Sequence, residues 1–171
     1  MKGKIFTLVS LFLLLVWSCG KKSDSGNISE NAVLQDADGT FALNMADAAC
    51  YSDAVNPASN TAEWNVVVSK PGTYKVWLSS ATKDTTDLSY INSVKISLLD
   101  KLIEVDPEID RVVLNSDNVS YPYFRADSYA GSFSFSDPGE YIIHVISENV
   151  LSKESINNLT SGPEDTKLMS V

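Results

Sequence analysis

The sequence predicts an all-β domain over residues 32–171, an antiparallel two-sheet β-sandwich of the jelly-roll type. Three observations predict it. From Ala32 onward, short runs that alternate apolar and polar residues are separated by clusters of Asp, Asn, Gly, Pro and Ser, the pattern of strands joined by turns. No long helical period interrupts them. A half-motif also occurs twice: Val66-Val67-Val68-Ser69-Lys70-Pro71-Gly72-Thr73-Tyr74-Lys75-Val76-Trp77-Leu78 returns as Phe133-Ser134-Phe135-Ser136-Asp137-Pro138-Gly139-Glu140-Tyr141-Ile142-Ile143-His144-Val145.

Each copy reads as a strand, a reversal and a second strand. Proline presets φ at the first turn position and glycine accepts the positive φ of the second, so both Pro-Gly pairs are expected to form type II turns. Side chains alternate across a strand. Val66, Val68, Tyr74, Val76 and Leu78 therefore share one face, answered by Phe133, Phe135, Tyr141, Ile143 and Val145, and these should build the core. Trp64 has the same parity and is expected inside. Lys75 and Trp77 fall on the opposite face in the first copy, Ile142 and His144 in the second. Between the copies, residues 94–98 alternate as a strand, Asp100-Lys101 turns it into 102–105, and 112–114 form another. Residues 167–171 read as a closing strand, giving seven or eight in all.

The N-terminus is of a different kind. Met1-Lys2-Gly3-Lys4 precedes an apolar run over 5–17, then Ser18-Cys19-Gly20 and Lys21-Lys22-Ser23-Asp24. A basic start, a short apolar segment and a small residue before a cut make a secretory signal over 1–18. The run is shorter than the roughly 20 residues of a spanning helix. Residues 19–31 have no period and almost no apolar content, and read as a flexible tether. Val16-Trp17-Ser18-Cys19 resembles the lipobox of bacterial lipoproteins. That resemblance implies a diacylglyceryl group on the Cys19 thiol and a lipid-anchored place in the bacterial cell envelope, at the outer membrane, with the side it faces left open.

The chain carries 22 acidic and 13 basic side chains, a net charge of −9, and loss of Lys2 and Lys4 with the signal takes it to −11. Such a chain repels phosphate backbones and anionic headgroups, which excludes nucleic acid as an expected partner. With Cys19 lipidated, no internal disulfide is open to Cys50, which sits among small residues and reads as a buried inert thiol. His144 is the only histidine, and there is no CxxC, HExxH, Walker or GxGxxG pattern. Glu104, Asp106, Glu108 and Asp110 alternate but lack the glycine and terminal glutamate of an EF-hand loop, so a solvated segment is expected there. The reading is that the chain is not an enzyme.

Trp64-Asn65-Val66-Val67-Val68 with Lys70-Pro71-Gly72-Thr73-Tyr74-Lys75-Val76-Trp77-Leu78, and Ala130-Gly131-Ser132-Phe133-Ser134-Phe135-Ser136-Asp137-Pro138-Gly139-Glu140-Tyr141 as a second hairpin, resemble the galactose-binding-like β-sandwich superfamily. The resemblance is to its family 6 and family 35 carbohydrate-binding modules and spans residues 32–171. It implies a sugar held at one end of the sandwich by loop aromatics, because a pyranose offers a weakly apolar C–H face to a ring while its hydroxyls need polar partners. On that basis Tyr121 and Tyr123 are the stacking candidates, Arg125 and Asn118 their polar neighbours, and Tyr51 and Tyr90 complete a platform. Trp77 is a separate outward stacking site, with His144 at the equivalent position of the repeat. The resemblance also implies structural calcium as the only cofactor to consider, with Asp36, Asp38 and Asp165 as candidate ligands. The expected function is a non-catalytic, membrane-anchored lipoprotein that binds a glycan or oligosaccharide. The rival expectation is an envelope scaffold that uses the same sandwich to bind another envelope protein.

Overall fold

Both Pro-Gly segments reverse the chain, but from one sheet to the other rather than within a sheet. The computed structural model describes residues 31–150 and 166–171. Cys19, the signal segment and almost all of the tether lie outside those residues. No helix among the described residues is long and apolar enough to cross a membrane.

Ten strands are present among the described residues: β1 (Val33–Leu34), β2 (Ala49–Tyr51), β3 (Thr61–Val68), β4 (Gly72–Thr82), β5 (Val94–Leu98), β6 (Lys101–Val105), β7 (Arg111–Val113), β8 (Phe124–Phe135), β9 (Gly139–Ile146) and β10 (Lys167–Ser170). One sheet runs β3-β9-β5-β6, with β1 and β2 sharing the outer edge of β3; the other runs β10-β4-β8-β7. All pairs are antiparallel except β1 with β3. The excess over the expected strand count includes β1 and β2, too short to show a period.

The repeat explains the architecture. β3 pairs with β9 (Trp64 opposite Ile143, Val66 opposite Tyr141), and β4 pairs with β8 (Tyr74 opposite Phe133). Each copy is therefore an arch with one strand in each sheet, and the two arches lie against each other. The second element is an arch, not a hairpin. The reason is chemical: both strands of a copy present their apolar side to the other, and two such sides meet only across a core, about 10 Å thick in a sandwich. Gly72 and Gly139 have φ of 157° and 159°, far from the about +80° of a type II turn, so that expectation is also corrected. The Tyr74 hydroxyl donates to the Lys70 carbonyl, and the Tyr141 hydroxyl to the Asp137 carbonyl at 2.8 Å. Each tyrosine thus ties down its own arch from four residues away.

The core lies where alternation put it. Trp64, Val66, Val68, Leu78, Phe133, Phe135, Ile143 and Val145 are buried, joined by Val94, Ile96 and Leu98 of β5. Trp64 donates its indole N–H to the Asn44 carbonyl at 2.9 Å, which satisfies the one polar atom of a buried ring. Tyr74 and Tyr141 pack against Phe135 at 5.6 and 4.9 Å between ring centres. Cys50, expected to be buried, is only half-buried. β10 covers β4 only along Ser79–Ala81, and Val171 then exchanges two backbone hydrogen bonds with Leu43. Beside the rest of β4 a cleft of about 430 Å³ opens between the sheets, lined by Phe41, Tyr74, Val76, Trp77, Phe133 and Phe135 among others.

Candidate functional site

The outer face of the four-stranded sheet carries the densest set of placed functional groups, and a β-bulge makes it. Val76 pairs with Gly131 but Trp77 pairs with Tyr129, so Ala130 is an extra residue in β8. Counting back from Phe133 would turn Tyr129 toward the core. The extra residue reverses the parity, a recognised use of bulges, and Tyr129 comes out beside Trp77. Their ring centres are 5.3 Å apart with the planes at 56°. Trp77 keeps 39% and Tyr129 43% of its surface exposed. The Asp110 carboxylate accepts the Tyr129 backbone N–H at 2.6 Å, occupying a donor at the bulge.

Next to the aromatic pair, along the same face, Asp127 stands opposite Ser79 on β4 and Arg111 on β7. Its side chain is 1% exposed. It accepts Ser79 Oγ at 2.9 Å and Arg125 Nε at 2.7 Å on Oδ1. On Oδ2 it accepts Arg125 Nη2 at 3.0 Å, Arg111 Nε at 2.9 Å and Arg111 Nη2. Burial works against its charge, but the hydrogen bonds from Arg125, Arg111 and Ser79 outweigh it and hold the carboxyl below its ordinary value. Arg111 is 62% exposed, and its Cζ lies 5.9 Å from the Trp77 ring centre, within cation–π range. The face thus offers an aromatic platform flanked by a guanidinium that a buried carboxylate fixes in place.

The residues expected at the site are dispersed. Trp77 is on this face. Arg125 is too, bound to Asp127. Tyr121, Tyr123 and Asn118 lie in the loop from β7 to β8, at the end of the sandwich that also holds the 83–93 loop. Tyr121 is 91% exposed. Tyr123 is half-buried with Lys83 Nζ 5.3 Å above its ring, and Asn118 donates its backbone N–H to Ser116 Oγ at 3.3 Å. Tyr51 ends the edge strand β2 of the other sheet and is exposed.

Tyr90 is half-buried and anchored to the fold. Its ring packs against the core and its hydroxyl sits 2.9 Å from Ser80 Oγ. Burial pushes its pKa up to about 12. His144 stands on the outer face of the opposite sheet, so it cannot join Trp77. Its Nε2 is 3.0 Å from Glu63 Oε2 and its Nδ1 3.5 Å from Ser97 Oγ.

Asp38 closes a turn, accepting Thr40 N–H at 2.9 Å and Thr40 Oγ1 at 2.7 Å, and these bonds lower its pKa. Asp36 joins the same turn through its backbone, and Asp165 lies outside the described residues. Among the described residues, no group of three or more His, Cys, Asp or Glu is placed to hold a metal. Glu104 pairs with Lys95 at 3.6 Å, and Asp106 accepts Ser93 Oγ at 2.5 Å.

Sequence reading missed Tyr129, Arg111 and Asp127. The signal for Tyr129 was hidden by the bulge. Asp127 showed only as an acid two residues after Arg125, with nothing local to reveal Arg111 beside it.

No protein-family model matches the chain, and no curated protein matches it. Among solved structures, it is similar to the crystal structure of alpha-L-fucosidase from Vibrio sp. strain EJY3, with a TM-score of 0.61 at 20% identity. The match covers 82% of this chain and 23% of that one, so this chain spans less than a quarter of the enzyme's length. At that identity the likeness establishes a shared β-sandwich fold. It also corrects one expectation: the reading that the chain is not an enzyme is overturned, because the structure sharing its fold is that of an enzyme.

Proposed function

We propose that this protein is a lipid-anchored glycan-binding protein of the bacterial envelope, held to the membrane through Cys19. Its β-sandwich belongs with the carbohydrate-binding modules of the galactose-binding-like superfamily. The observation that carries the reading is the outward Trp77–Tyr129 pair, half-exposed and edged by Arg111. Aromatic rings held out to water on a sheet face, with hydrogen-bond donors alongside, suit the C–H face and hydroxyls of a sugar. The fold likeness to a protein named as a fucosidase supports the same direction.

Affinity electrophoresis on immobilised polysaccharides, followed by an oligosaccharide array, tests it. Trp77→Ala and Tyr129→Ala should each lower retention by tenfold or more with the fold intact, whereas Tyr121→Ala and Tyr123→Ala should leave it unchanged. The reverse pattern would move the site to the loop end. No retention on any glycan would sink the reading.

A second reading has one observation in its favour. The cleft beside the uncovered stretch of β4 is lined by Phe41, Tyr74 and Phe135, an apolar opening suited to another envelope protein. It predicts a partner captured by crosslinking from within the cleft while Tyr129→Ala has no effect.

A further inference from the structure

Resting on the second reading above and independent of the glycan one, we infer that the uncovered edge of β4 docks an extended segment of another protein. The segment pairs antiparallel with residues 72–78 and sends alternate apolar side chains into the cleft beneath. β8 pairs with β4 along all of Gly72–Thr82, whereas on the opposite side β10 reaches only Ser79–Ala81. There β10 loses register between Leu168 and Ser170 and turns away, Ser170 bridging Asn44 and Val171 bonding to Leu43. From Leu78 back to Gly72, no strand or loop among the described residues takes up the backbone groups on that side. Such an edge is a template for another chain, and strand addition draws its affinity from those main-chain bonds.

The cleft sets what the added strand carries. Its floor is the core itself, since Ile96, Phe133, Phe135 and Ile143 all border the opening. A strand laid along 72–78 places every second side chain on the same side as Tyr74 and Val76, above that floor. Aliphatic chains suit the volume of about 430 Å³ there. The intervening side chains face outward, and the middle one stands beside Lys75. Lys75 is exposed, lies opposite Ser132 on β8, and pairs with no carboxylate among the described residues. An acid on the incoming strand complements it as a cross-strand pair.

A separate strand fits better than the other occupants. A lipid or a sugar would leave the backbone edge unpaired. A second copy of β4 would offer backbone groups, but its Tyr74, Val76 and Leu78 are already packed in its own interior and would leave this cleft unfilled.

The test is fluorescence anisotropy of the full chain with a labelled heptapeptide, Val-Thr-Val-Glu-Val-Thr-Val. Its valines fall opposite Leu78, Val76, Tyr74 and Gly72, and its glutamate opposite Lys75. In a strand, alternate amides face opposite edges, so N-methylating one alternate set should weaken binding by about tenfold or more and N-methylating the other should not. Lys75→Glu should weaken this peptide about threefold and strengthen, by a similar factor, one with lysine at its centre. Tyr129→Ala should leave the peptide bound as before. Equal effects of the two methylated sets would overturn strand pairing while leaving the cleft a protein-binding opening, which crosslinking reads separately. Absence of binding by every peptide would overturn the inference, and glycan retention would stand or fall on its own assay.

Discussion

Arg111 on β7 donates Nε to the buried Asp127 carboxylate of β8 at 2.9 Å, and this bond fastens the edge strand to its sheet. β7 has three residues and pairs only with β8. Its side-chain attachment therefore matters more than it would for a long central strand.

Asp127→Asn should lower stability by about 2 kcal/mol, since it weakens the charge-assisted hydrogen bonds from Arg111, Arg125 and Ser79 while both guanidinium groups keep access to water. Urea unfolding at neutral pH measures it. The acid limb gives a second reading. The folded pKa lies below the ordinary 3.8, so the carboxylate's contribution is complete above the unfolded value and drains away as pH falls through the folded one. In the Asn variant that component of the acid loss, below about pH 4, should be missing.

Tyr90→Phe removes the partner of Ser80 Oγ, a buried hydroxyl, and should cost roughly 1–2 kcal/mol. In the native protein one tyrosine should ionise near pH 12 by ultraviolet absorbance. Its folded pKa exceeds the unfolded value of 10.0, so stability is lost as pH rises between the two. Glycan retention should be untouched.

Gly131→Ala should destabilise by about 1–3 kcal/mol. Gly131 has φ of 142°, and an added Cβ would sit 3.1 Å from Ile103 Cδ1 across the sandwich. Ile103→Val in the same chain deletes that atom, so thermal unfolding of the double variant should recover part of the loss. The backbone strain should persist.

Cys19→Ala should shift the protein from the membrane to the soluble fraction on cell fractionation, and the mature chain should lose the added mass of its acyl groups. A membrane-bound Ala variant would refute the anchor.

The core was legible because alternation is local: Val66, Val68, Phe133 and Val145 announce their side of the strand without reference to anything distant. Which strand lies beside which was less so. The Pro-Gly segments signal reversal, yet a hairpin and an arch share that signal, and only the apolar character of both strands separates them. Trp77 could be assigned outward by counting. Tyr129 could not, because one inserted residue inverts every count made across it. Tyr90 misled for the opposite reason: a tyrosine in a loop announces nothing about Ser80, ten residues back, to which its hydroxyl turns.

The interlocking of the two arches has a consequence for how the chain reaches its native state. The long strand beside β3 is β9, and the long strand beside β4 is β8, so the first arch lacks its main partners until β8 and β9 have emerged. High contact order of this kind slows folding and prolongs the exposure of sticky edges. A nascent polypeptide ending near Leu114 would therefore hold Trp64, Val66 and Leu78 uncovered, dependent on chaperones, while the complete chain closes its interior in one late, cooperative step.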